Sequence, residues 1–194
     1  MRQHQRTFRS LYVAGALTIT LGTAVAIAAP AWATFPGANG RILYSAPLSG
    51  VQTVFSINPN GTGVLALTST HEAGNAEWSA DGTKIVFDSY RKNHWSIFVM
   101  NANGTGVTRI TSGGDDVAPT WSPDGTKIAY GSRLDGNIYV INANGTGKTQ
   151  IASAGARNQS PDWSPDGTKI AFDSYRQKHN DIFVVNPDEP AAPS

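Results

Sequence analysis

The chain has 194 residues, with 15 Lys and Arg against 14 Asp and Glu, and it contains no cysteine. That length accommodates one medium domain, and the missing cysteines exclude disulfides, thiol nucleophiles and thiolate metal sites. The charges are interspersed and the basic residues sit singly, so there is no phosphate-tracking stripe and nucleic acid is not an expected partner.

Arg2, Arg6 and Arg9 precede an apolar run from Leu11 to Ala29, followed by Ala31-Trp32-Ala33, whose small residues fit a signal peptidase. This pattern predicts a leader over residues 1–33 and an exported mature chain that is secreted, periplasmic or envelope-associated, with no membrane contact after cleavage. An uncleaved anchor is the alternative, against which the Ala, Gly and Thr content of the run argues. Without the three leader arginines, 12 basic residues face 14 acidic ones, a net charge of −2 with His neutral.

Self-similarity dominates the remainder. The segments WSADGTKIVFDSYRKNHWSIFVMNANGTG, WSPDGTKIAYGSRLDGNIYVINANGTG and WSPDGTKIAFDSYRQKHNDIFVVNPDEP begin at Trp78, Trp121 and Trp163, spaced 43 and 42 residues apart. A degenerate copy lies upstream, with NGRILYSA from Asn39 and TVFSINPNGTG from Thr53. The copies divide as 34–70, 75–112, 118–153 and 160–187, and 188–194 reads as a flexible tail.

Within a copy, β-branched and aromatic runs alternate with Gly, Asn, Asp and Pro, a strand-and-turn pattern without helical periodicity. In the second copy the expected strands are a, Asn75 to Trp78; b, Thr83 to Asp88; c, Ser96 to Met100; and d, Val107 to Thr111. Strands b and c are nearly continuously apolar, which suits middle strands covered on both faces by neighbouring sheets. Pro119 and Pro161 fall in strand a, where a missing N–H is tolerable only at a sheet edge. The predicted fold is all-β: a β-propeller of about four four-stranded blades. It closes as a small ring, stays open as a fan, or is completed by a second copy in a homodimer.

Trp78, Trp121 and Trp163 share one repeat position and are expected to pack between blades. Asp81-Gly82, Asp124-Gly125 and Asp166-Gly167 suit tight a–b hairpins, because Gly tolerates positive φ. Asn-Gly-Thr at residues 60–62, 103–105 and 144–146 does the same between strands c and d. These neutral asparagines are poor calcium ligands, and neither a metal site nor a cofactor is expected.

Alternating chain direction places the a–b and c–d turns on one rim and the b–c and d–a loops on the other. The second rim varies in length and charge, so a ligand site is expected there. Its candidates are Arg91, His94, Trp95, Asp115, Asp116, Arg133, Arg157, Arg176 and His179. The alternative role for the arginines, one per complete b–c loop, is to brace that loop. His94 and His179 share a repeat position in blades that are not adjacent. The adjacent Asp115 and Asp116 point apart in extended chain, unlike catalytic carboxylates, and read as rim charge. No nucleophile elbow, zinc-binding HExxH or phosphate loop occurs.

The WSPDGTKIAFDSYR and DIFVVN strings resemble the repeats of TolB-type propellers, over roughly Thr34 to Pro187. TolB proteins bind partners through their propeller, so the resemblance implies an exported, non-enzymatic scaffold or binding module for a protein or small ligand. It implies no chemistry. The sequence shows fewer repeats than TolB and no α/β domain before them. Alternatives are a propeller-type polysaccharide lyase or hydrolase, and a truncated propeller fragment.

Overall fold

The computed structural model describes residues 40–152, 157–176 and 178–189, which lie in one compact unit. The predicted leader lies outside the described residues, as do residues 190–194 of the predicted tail. Blade 1 comprises β1 (Ile42–Leu48), β2 (Val51–Ile57) and β3 (Leu65–Ala66). Blade 2 comprises β4 (Ala73–Trp78), β5 (Lys84–Arg91), β6 (His94–Asn101) and β7 (Thr108–Arg109). Blade 3 comprises β8 (Asp116–Trp121), β9 (Lys127–Ser132), β10 (Ile138–Asn142) and β11 (Thr149–Ala152). Blade 4 comprises β12 (Arg157–Trp163), β13 (Ile170–Arg176) and β14 (His179–Val185). Each blade is a separate sheet with its strands side by side in chain order. Among the described residues, blade 1 has no strand before β1 and blade 4 none after β14.

Strands b and c run further than their sequence suggests. In blade 2 they extend to Arg91 and from His94, joined by Lys92 at φ 52° and Asn93 at φ 67°. Two consecutive positive φ values make a two-residue turn whose twist matches the strands. SYRKNHW is therefore the end of a hairpin, with Tyr90 opposite Trp95 and Arg91 opposite His94. Blade 4 repeats the pairing with Arg176 opposite His179. Blade 3 keeps a loop between Ser132 and Ile138.

The a–b turns close on their own side chains. Asp81 Oδ1 accepts from Ser79 Oγ (2.6 Å) and from the Thr83 N–H (3.0 Å), and Asp124 and Asp166 repeat both contacts. These bonds hold the Asp81 and Asp166 carboxyls down at about 2, and push that of Asp124 down as well.

Side chains alternate between the two faces of each blade, and both faces are apolar. One face of blade 2 (Ile85, Phe87, Phe98, Met100) packs on Val54 and Leu67 of blade 1, with Trp78 at its margin. The other (Val86, Ile97, Ile110) packs on Trp121, Ile128, Tyr130 and Ile141 of blade 3. A third core joins Ile138, Val140 and Ile151 of blade 3 to Ile170 and Phe172 of blade 4, with Trp163 against it. A stacked aromatic pair recurs in every blade: Tyr44–Phe55, Phe87–Phe98, Tyr130–Tyr139 and Phe172–Phe183, with centroids 5.2 to 6.0 Å apart. Each pair contributes about 0.5–1.5 kcal/mol beyond its burial.

No core among the described residues joins blade 4 to blade 1, so the blades form an open fan with two uncovered apolar faces. Ile42 is 53% exposed where its counterpart Ile85 is fully buried. Ile182 is 72% exposed where its counterpart Ile138 is 0% exposed.

Strand a of blades 2, 3 and 4 carries a bulge, with register shifts between Gly74 and Glu77, Val117 and Thr120, and Gln159 and Asp162. Asn75, Ala118 and Ser160 sit there at φ 43°, 51° and 50°. In blade 3 backbone N–H groups at and after the bulge donate to the preceding blade. Asp88 Oδ2 accepts from Asn75 Nδ2 (2.7 Å) in its own blade and from the Ala118 N–H (2.9 Å) in the next. Glu77 Oε1 accepts from the Trp121 N–H of blade 3 at 3.3 Å. Burial raises the Glu77 carboxyl from 4.5 to about 7, against the opposing effect of its bonds to Thr120 and Trp121.

Two outcomes follow from this packing. Ile138→Ala is expected to cost about 2–5 kcal/mol in urea denaturation, whereas Ile182→Ala, at the same repeat position, stays within about 0.5 kcal/mol. Glu77 holds a proton in the fold that the unfolded chain releases above its ordinary value. Its stabilising contribution is present below pH 4.5 and lost as pH rises to about 7. Glu77→Gln should flatten the fall in urea midpoint across that window, leaving the part due to Asp88 and Asp116, whose carboxyls burial also raises.

Candidate functional site

The b–c hairpins and d–a loops meet where one blade packs on the next, and two clefts open there on the predicted rim. Between blades 2 and 3, a cleft of about 540 Å³ is lined by Tyr90, His94, Trp95, Gly114, Asp115 and Leu134. Between blades 3 and 4, a cavity of about 260 Å³ is lined by Gly131, Arg133, Gly136, Arg157, Asn158 and Gln159. Arg133 lies at the boundary, its guanidinium 5.5 Å from the Trp95 ring centroid and itself part of the smaller cavity's wall.

Trp95 owes its position to the hairpin extension, which sets it against Tyr90 with ring centroids 5.7 Å apart and planes tilted by 52°. Asp115 fastens the larger cleft. Its Oδ1 accepts from the Trp95 N–H (2.9 Å), and its carbonyl accepts from the Arg133 N–H (2.8 Å). Leu134, 73% exposed, supplies an apolar lip.

The other candidates separate into different roles. Arg91 and Arg176 lie 4.1 Å from the Phe98 and Phe183 ring centroids and donate through Nε to Ser89 and Ser174. They brace their own hairpins. Arg133 is not the third member of that set, because its N–H bonds to Asp115 O as the Tyr90 N–H bonds to Glu72 O, so it stands at the tyrosine position. His94 is held between Lys92 O, 2.9 Å from Nδ1, and the Arg109 guanidinium at Nε2; a proton on Nδ1 satisfies both contacts. His179, exposed on blade 4, shares no cleft with it.

Asp116 does not charge the rim. It is 1% exposed, and burial raises its carboxyl against the opposing effect of Thr111 and Lys148. Successive residues of an extended strand face opposite ways, so Asp115 reaches the cleft while Asp116 turns inward. Among the described residues, no cluster of three His, Asp or Glu has the arrangement to hold a metal ion.

The opposite rim also has a cleft, of about 250 Å³, between the turns of blades 3 and 4 and lined by Pro123, Asp124, Lys127, Asp166 and Asp188. The Lys127–Asp188 ion pair (2.6 Å) crosses it.

Asp88, Glu77 and Gly131 were not singled out by their residue types, although comparing copies position by position distinguishes Asp88 and Asp173 from Gly131.

Residues 112–193 match the TolB beta propeller domain model. No curated protein sequence matches the chain. Putative TolB from Agrobacterium tumefaciens is similar over 73% of this chain and 55% of its own length, with TM-score 0.64 and 24% identity. TolB from Acinetobacter baumannii is similar over 77% of this chain and 39% of its own, with TM-score 0.66 and 22% identity. Oligogalacturonate lyase from Vibrio parahaemolyticus is similar over 75% of this chain and 45% of its own, with TM-score 0.59 and 14% identity. The chain thus spans about half the length of these structures or less. Residues 112–193 thus carry TolB-like β-propeller repeats, and the chain has the fold of the TolB propeller.

Proposed function

We propose that this chain is an exported, non-enzymatic binding module that takes a protein or small ligand on the rim formed by the b–c and d–a connections. The observation that carries the reading is the pair of clefts flanking Arg133, which place an aromatic ring, a guanidinium and an exposed leucine together on the rim whose loops differ most between copies. Aromatic and arginine side chains around a concave, partly apolar surface are the usual anchors of recognition. Several groups with catalytic potential are engaged internally, whereas His179 is exposed. His94 is bonded on both ring nitrogens, and Arg91 and Arg176 lie on aromatic rings of their own blades. Export is the part of the reading that rests on Arg2, Arg6, Arg9 and the Ala31-Trp32-Ala33 site.

The test is capture of proteins from an extracytoplasmic extract by immobilised chain, compared by mass spectrometry. A set retained by wild type and by Asn103→Ala on the opposite rim, but reduced at least tenfold by Trp95→Ala with Arg133→Ala, is the expected result. Retention unchanged in the double variant would remove the rim assignment. Release of unsaturated products from oligogalacturonate, abolished by His94→Ala or His179→Ala, would replace the binding module with an enzyme.

A further inference from the structure

The junctions between blades 2 and 3 and between blades 3 and 4 are built from the same strands in the same register, and their chemistry differs at the axial side of the rim. At the first, Asp88 sends its carboxylate across to the bulge N–H of Ala118, with Asn75 as its second donor. Strand pairing places Gly131 at the Asp88 position, since Asp88 is opposite Ile97 and Gly131 is opposite Ile138. Ser160 is the bulge residue corresponding to Ala118. The second junction therefore has a bulge residue at the same position with the same sign of φ, and lacks the carboxylate.

Two neighbouring positions change in the same sense. Arg133 stands where blade 2 has Tyr90, and Arg157 stands where blades 2 and 3 have Glu72 and Asp115. Across these positions Asp88, Tyr90 and Asp115 of the first junction give way to Gly131, Arg133 and Arg157 at the second. Arg133 and Arg157 both line the 260 Å³ cavity, together with Gly131 and Gln159. Neither forms an ion pair within 4 Å among the described residues, and the Arg133 charge also acts on Asp88 at the first junction. The space over Gly131 is open enough for a side chain, because a Cβ there would meet nothing nearer than Asn158 O at 3.7 Å.

We propose that this cavity is a carboxylate-binding site, in which a ligand's carboxylate occupies the place that the Asp88 side chain fills one junction earlier. Arg133 and Arg157 pair with it, and the Ser160 N–H is the backbone donor. A guanidinium fork matches the two oxygens of a carboxylate, and such charge-assisted bonds are about twice as strong as neutral ones. The carboxylate belongs either to a polypeptide, as a chain end or acidic side chain, or to a free organic acid. The inference deepens the binding-module reading and rests on this rim being the binding face.

The experiment is an NMR titration of the isotope-labelled full chain with acetate, with N-acetyl-trialanine bearing a free C-terminus, and with the C-terminal amide of that peptide. Saturable shifts at the Gly131, Gln159 and Ser160 amides are expected with the acids and not with the amide. Affinity should fall at least tenfold in Arg157→Ala. Binding should vanish in Gly131→Asp, whose own carboxylate fills the place, with a rise in melting temperature as that bond forms. Peptide binding at least tenfold tighter than acetate assigns the carboxylate to a polypeptide, and equal binding assigns it to free acids. No saturable response to either acid, or an undiminished one in Gly131→Asp, overturns the proposal. In that case, partner capture that still depends on Trp95 and Arg133 would leave the rim reading standing.

Discussion

Burial of one blade's face against the next is the interaction on which the rest of this structure depends. The middle strands β5, β6, β9 and β10 are apolar on both faces, and only a neighbour on each side removes both from water. Each large aliphatic side chain so buried contributes about 1.5–3 kcal/mol, without disulfides to assist. The rim inherits its form from this packing. Both rim clefts described above lie where two sheets meet.

Much of this was legible in the sequence, and the reasons are local. The Asp-Gly and Asn-Gly pairs fix hairpins through bonds spanning two to five residues, so reading them needs no tertiary information. The recurring Trp marks the register of the copies because its neighbours in each core recur as well. The b–c hairpins were harder to read. Arg91, Lys92, Asn93 and His94 have the composition of a loop, and the strand character of Arg91 and His94 comes from their pairing across a turn containing no glycine.

The site depended on information that no single copy contains. Arginine occurs once in each b–c segment of blades 2, 3 and 4, which suggests equivalence, but the different connection in blade 3 moves Arg133 to a tyrosine position and frees it from bracing. The roles of Asp88 and Glu77 come from backbone N–H groups in the following blade, more than 25 residues away. Ala118 and Ser160 adopt positive φ without being Gly, Asn or Asp, so the bulge that aims those donors has no signature in residue type. Function on a repeat scaffold is carried by departures from the repeat, and the departures at Gly131, Arg133 and Arg157 cluster at one junction.

The uncovered faces at Ile42 and Ile182 bear on how the molecule comes apart. A stack in which each blade touches only its neighbours behaves as a one-dimensional chain of coupled units, with stability spread over blade and interface terms. Among the described residues, blades 1 and 4 each pack on one neighbour, while blades 2 and 3 each pack on two. Opening should therefore begin at the ends and move inward, so amide hydrogens of β13 and β14 exchange faster than those of β9 and β10. The cavity between blades 3 and 4 straddles that boundary, so a ligand bridging Arg133 and Arg157 would couple its own binding to the docking of the terminal blade.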